Sequence, residues 1–112
     1  MATEEERINQ MKNRQRRPLG PGEVTAGLLE ELAISRAEFV RRLAITRAQA
    51  ARFFSGQAPL SPDMALRLGR FFGNGPTLWM NLQRNRDLWD LLHLDADAYD
   101  QIVPVEDLRR AA

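Results

Sequence analysis

The sequence predicts an all-α fold, and three observations carry that prediction. Val, Ile and Thr total only 12 of the 112 residues and never alternate with polar residues over a useful length, so no strand is indicated. Apolar residues instead recur at helical spacing in five successive stretches. Residues that start or stop helices bound these stretches: Ser35, Thr46 and Ser61 at beginnings, Gly56 and Gly73 at ends.

Residues 1–17 are polar and lack apolar periodicity, so they are expected to form a mobile arm. Pro18-Leu19-Gly20-Pro21-Gly22 punctuates the approach to the domain proper, expected over 18–92. Val24, Leu28, Leu29 and Leu32 mark one face of a first helix. Ser35 followed by Glu38 is a capping-box pattern that opens a second, with Phe39, Val40 and Leu43 inward. Thr46 and Gln49 repeat the pattern and open a third, which runs through Phe54 with Ala50, Phe53 and Phe54 inward. Ser61-Pro62-Asp63 supplies an N-cap, a proline at N1 and a first-turn acid for a fourth, carrying Met64, Leu66, Leu68, Phe71 and Phe72. Gly75-Pro76 opens a fifth, with Leu78, Trp79, Leu82, Leu88, Trp89, Leu91 and Leu92. The remainder, 93–112, reads as a short acidic tail.

Leu, Ile, Val and Phe make up 28 residues, 25% of the chain, enough for one modest core. With no cysteine, disulfides, thiolate zinc sites and cysteine nucleophiles are excluded, and a reducing cytoplasm is the expected compartment. The longest uncharged run, Phe71 to Gln83, is 13 residues and is interrupted by glycine and proline, too short to span a membrane. The acidic start has no apolar h-region, so no secretory signal is expected. Asp95, Asp97, Asp100 and Glu106 fail as a calcium loop, because the position that needs glycine is Asp100. The same carboxylates have no pocket to shift their pKa, so no catalytic residue, metal or cofactor is expected, and the chain is not read as an enzyme.

The net charge of +1 hides a segregation. Residues 1–10 sum to −2, residues 11–86 to +8 and residues 87–112 to −5, and 15 of the 16 basic residues are arginine. Arginine suits phosphate and guanine because its planar guanidinium donates two parallel hydrogen bonds.

Two short capped helices with about three residues between them, Arg36 through Ser55, form a helix-turn-helix pattern of net charge +4 from Arg36 to Arg52. The outer face of its second helix carries Arg47, Gln49 and Arg52 beside the small Ala48 and Ala51. Arginine reads guanine O6 and N7, glutamine can read adenine, and small residues let a helix approach the major groove. Thr46, at the positive end of that helix, faces a phosphate or base, and Arg36 stands where the first helix of the motif crosses the DNA backbone. A purely local capping role for Thr46 and Gln49 is the other reading of those two residues, and Arg41 and Arg42 can be simply solvated.

From Pro21 to Leu92 the chain resembles the HigA (VapI-like) antitoxins, a branch of the phage-repressor-like Xre helix-turn-helix family. The resemblance rests on Pro21-Gly22-Glu23, Ser35-Arg36-Ala37-Glu38-Phe39, Ser61-Pro62-Asp63-Met64-Ala65-Leu66-Arg67-Leu68 and, most specifically, Gly75-Pro76-Thr77-Leu78-Trp79-Met80-Asn81-Leu82-Gln83. The sequence departs from the family at Val40, Ala44, Ala50 and Gln57, where alanine, glycine, a β-branched residue and a basic residue are usual. The resemblance implies a compact five-helix, lambda-repressor-like domain that binds double-stranded operator DNA as a homodimer and neutralises a HigB/RelE-like, mRNA-cleaving toxin. Leu78, Trp79 and Leu82 are the candidate dimer seam, with burial in the protomer core the other reading of Trp79. The acidic exterior of the first helix, Glu23, Glu30 and Glu31, is the candidate toxin surface, with the −5 C-terminal segment the other reading. A solitary helix-turn-helix repressor without a toxin is the alternative function.

Overall fold

The computed structural model describes residues 3–111, and every regular element among them is helical. Eight helices follow in order: α1 Glu4–Asn13, α2 Pro21–Glu31, α3 Arg36–Leu43, α4 Arg47–Ser55, α5 Pro62–Phe72, α6 Pro76–Leu94, α7 Ala96–Asp100 and α8 Val105–Ala111. Helices α2 to α6 are the five read from the sequence. The other three correct the five-helix expectation: α1 lies in the stretch expected as an arm, and α7 and α8 in the stretch read as an acidic tail. Residues 1, 2 and 112, part of the expected arm and tail, lie outside the described residues.

The chain forms two compact units: Pro18–Arg86, and the two chain ends Met1–Arg17 with Asp87–Ala112. In the first unit the core is aromatic. Phe39 is fully buried, with ring centroids of Phe53, Phe54 and Phe71 at 6.4, 5.5 and 6.0 Å, and Phe72 lies 5.4 Å from Trp79. Leu29, Leu43, Leu60, Ala65 and Leu68 complete it. Two glycines are fixed by close approach: a Cβ on Gly22 would lie 2.4 Å from the Phe53 carbonyl oxygen, and one on Gly69 would lie 2.3 Å from the Gly75 carbonyl carbon. Thus α2 packs directly on the α4 backbone, and α5 on the turn that starts α6.

That close packing explains the most specific stretch of the family resemblance. Trp79 is completely buried and its indole N–H donates to Asn74 Oδ1 at 2.9 Å. Gln83 Oε1 accepts from the Leu60 N–H at 3.0 Å, tying α6 to the loop that follows α4. Glu23 pairs with Arg86, whose guanidinium also donates to the Pro18 carbonyl at 3.0 Å. The Gln83 and Arg86 contacts are long-range, to Leu60 N–H and the Pro18 carbonyl, and hold loop backbone in place where no helix can.

In the second unit the N-terminal segment is helical for a local reason. Thr3 Oγ1 accepts from Glu6 N–H at 3.1 Å, three glutamates fill the positive first turn and Lys12 sits in the last. Contacts from the other chain end then hold it. Arg17 grips Asp90 with two hydrogen bonds of 2.7 and 2.6 Å, Trp89 Nε1 donates to the Arg14 carbonyl at 2.9 Å, and Lys12 lies 3.5 Å from Asp100.

Candidate nucleic-acid interface

Helix α4 is positioned from both ends. At its start Thr46 Oγ1 accepts from the Gln49 N–H at 3.0 Å and Gln49 Oε1 accepts from the Thr46 N–H at 2.8 Å, a complete capping box. At its end Gly56 takes the left-handed conformation, φ 74° and ψ 14°, that a C-terminal cap needs. Ala50 and Phe53 are its buried side. Arg47, Ala48, Gln49, Ala51, Arg52 and Ser55 are all exposed, so the basic face foreseen for this helix is open to solvent.

The turn that aims α4 is set by Arg67, which the sequence placed in the resemblance but gave no role of its own. Its Nη1 donates to the Leu43 carbonyl at 2.8 Å and the Ala44 carbonyl at 3.3 Å, while its Nε donates to Asp63 Oδ2 at 3.0 Å. A side chain from α5 thereby satisfies the last carbonyls of α3. The Asp63–Arg67 spacing of four was a visible signal for the pair, but nothing local pointed to the carbonyls of α3.

The other site residues fall into distinct environments. Arg36 is exposed with its guanidinium carbon 4.0 Å above the Phe54 ring, so its charge is held at the start of α3 by a cation–π contact. Glu38 pairs with both Arg41 and Arg42, the latter at 2.8 Å. The hydrogen bond from Arg42 is the largest of the effects that hold the Glu38 carboxyl below its ordinary 4.5, and the charge of Arg41 adds to it. Both α3 arginines therefore carry an acidic partner. Gln49 spends its amide oxygen on the cap, which leaves its NH2 as the group free to donate outward. The bidentate adenine contact foreseen for it requires opening that bond. A groove of about 280 Å³ runs beside α4, lined by Gln49, Arg52, Pro59, Ser61 and Met64 among others.

Two expectations change. Trp79, offered for the dimer seam, is completely buried within its own protomer, because its large apolar ring fills the space beside Phe72 and Leu82 is packed against the same core. Leu78 remains on the outside, 47% exposed, next to the exposed Met80. On α2, Glu23 is taken up by Arg86, which leaves Glu30 and Glu31 as the exposed acids at that helix's end.

The HTH-type transcriptional regulator YddM of Escherichia coli K12 is 38% identical over 90 residues, covering 80% of this chain and 87% of that protein. Antitoxin HigA-1 of Vibrio cholerae is 30% identical over 81 residues, 71% of this chain and 76% of its own length. The chain belongs to the HigA-like helix-turn-helix family. Solved structures of the family agree: an addiction module antidote protein of a HigA family from Coxiella burnetii superposes with a TM-score of 0.74 at 32% identity, covering 80% of this chain and 99% of that one. Pseudomonas aeruginosa antitoxin HigA with higBA promoter superposes with a TM-score of 0.71 at 33% identity, covering 79% and 98%. No protein-family model matches the chain. Among the described residues no helix is long and apolar enough to cross a membrane.

Proposed function

We propose that this HigA-like chain is the antitoxin of a type II toxin–antitoxin pair, binding a palindromic operator in its own promoter as a dimer and neutralising a HigB/RelE-like, mRNA-cleaving toxin. One observation carries the DNA half: α4 presents Arg47 and Arg52 on an exposed face kept low by Ala48 and Ala51, with its capped positive end outward. Inside the helix the N–H groups of residues 47 and 48 have no acceptor, which makes that end a seat for a phosphate. Thr46 and Arg36 flank it as backbone contacts, and Arg47, Arg52 and the Gln49 NH2 face the base edges. The structure in complex with promoter DNA of the Pseudomonas relative supports this reading.

A single module of this size makes few base contacts, so two are needed, on half-sites about 34 Å apart. Exposed Leu78 on α6 is the seam residue that remains once Trp79 is assigned to the core. The test is titration of the chain's own upstream DNA at several salt concentrations, with Arg47→Ala and Arg52→Ala beside the parent. The expected result is a log–log salt slope of about 0.9 per phosphate contacted and a loss of roughly 1–3 kcal/mol of sequence discrimination per arginine. Promoter binding that survives loss of both arginines would refute the assignment of α4.

A second reading is a repressor without a toxin, and the naming of YddM as an HTH-type transcriptional regulator is compatible with it. The protein encoded beside this chain separates the two. A small basic protein that arrests growth, and is rescued by this chain, establishes the antitoxin; its absence leaves the repressor.

A further inference from the structure

Seven of the twelve exposed large apolar residues among the described ones fall between Leu91 and Leu108, outside the helix-turn-helix. Leu91 and Leu94, three apart, share a side of the last turn of α6, and Val105 and Leu108 share a side of α8. Ile102 and Val103 stand between α7 and α8. Leu94 is 83% exposed, Ile102 68% and Val105 63%. So many large apolar side chains in 18 residues of a small chain mark a contact surface rather than ordinary scatter.

The charges around these anchors select the partner. Around them stand Asp95, Asp97, Asp100, Glu106 and Asp107 against Arg109 and Arg110 at the end of α8, with Lys12 3.5 Å from Asp100, so acids outnumber bases on this segment. A second copy seated here would bring two like-charged surfaces together, a juxtaposition that disfavours association. DNA is disfavoured for the same reason. A basic protein satisfies both features, since its cations meet the carboxylates while its apolar surface covers the leucines and valines.

We propose that Leu91–Leu108 is the docking surface for a basic protein, and, resting on the antitoxin reading, that this protein is the toxin. Acidic residues around apolar anchors then cover the cationic surface by which such a protein holds RNA. All but the first two residues of this segment lie beyond Pro21 to Leu92, the stretch on which the family resemblance was read.

The experiment is calorimetric titration of the full-length chain with the basic protein encoded beside it. The parent, Val105→Asp/Leu108→Asp and Glu30→Ala/Glu31→Ala are compared, each also titrated with operator DNA. Since Val105 and Leu108 are exposed, their double variant is expected to keep its helical circular dichroism and its operator affinity while losing about tenfold or more in affinity for the basic protein. The α2 variant is expected to bind like the parent. Parent-like binding by Val105→Asp/Leu108→Asp overturns the proposal alone. So does loss confined to Glu30→Ala/Glu31→Ala, or a shift of the tail variant from dimer to monomer or in operator affinity. Failure of the parent to bind the basic protein while it still binds operator removes the toxin half of the proposed function, and this surface with it.

Discussion

Ala44 closes α3 with φ 54° and ψ 46°, and Ala33 follows α2 with φ 56°, so two alanines hold the left-handed conformation that glycine adopts without strain. The family's usual glycine at position 44 has this physical reason. Ala44→Gly is expected to raise stability by about 1 kcal/mol in urea unfolding, since Ala44 is exposed and loses no packing. Thr25 is a second residue-scale anomaly: it is completely buried and its hydroxyl oxygen has no hydrogen-bond partner. Thr25→Val keeps the shape and removes the stranded group, with an expected gain of about 1 kcal/mol in the same measurement. Position 44 was marked in the sequence by the glycine usual there, whereas the strain at Ala33 and the orphan hydroxyl were not, because each depends on a dihedral angle or a neighbour rather than on residue type.

Among the elements, α4 owes its boundaries to its own residues and its aim to others. Thr46, Gln49 and Gly56 were legible as caps because capping is a contact over three residues. The orientation of the helix depends on Gly22 beneath it and on Arg67 across the turn, contacts separated by more than twenty residues. Gly69→Ala tests the corresponding packing of α5: a Cβ there runs into the backbone at Gly75 and must displace the start of α6, with an expected loss of about 1–3 kcal/mol in thermal unfolding. On α3 the Glu38 pair makes a pH prediction. Its carboxyl loses its proton more readily in the folded chain than at the ordinary 4.5, so the contribution is complete above that pH and is lost as pH falls below it. Glu38→Gln is therefore expected to flatten the fall of melting temperature between neutral and acid pH, and an unchanged profile would remove the pair from the account.

At the scale of the whole molecule, Trp79 and Leu78 are neighbours in opposite surroundings, one buried and one exposed. Trp79→Ala empties the centre of the core and is expected to cost about 3–5 kcal/mol, or to unfold the chain. Leu78→Asp changes an exposed residue and is expected to leave the melting temperature unaltered while shifting the mass in solution toward a protomer and weakening operator binding. A dimer that persists in this variant moves the seam elsewhere. The chain ends show a similar division. Residues 4–13 have the N-cap and terminal charges of a helix but no apolar stripe, so the sequence suggested an arm. Arg17 on Asp90 and Trp89 on the Arg14 carbonyl, contacts over more than seventy residues, hold that segment in a unit of its own.

The sequence by itself determined the five central helices, the caps at Ser35, Thr46, Gly56, Ser61 and Gly73, the helix-turn-helix and the side of α4 that carries arginine. All of these are set by interactions within a few residues, which spacing and residue type record. Only the tertiary structure decided that Trp79 is core, that Glu23 is paired with Arg86, that Arg67 fixes the turn ahead of α4 and that residues 14–17 are held by Trp89 and Asp90. Those outcomes come from pairs far apart in the chain, and the free energy of such a pair exists only once the fold has brought its partners together.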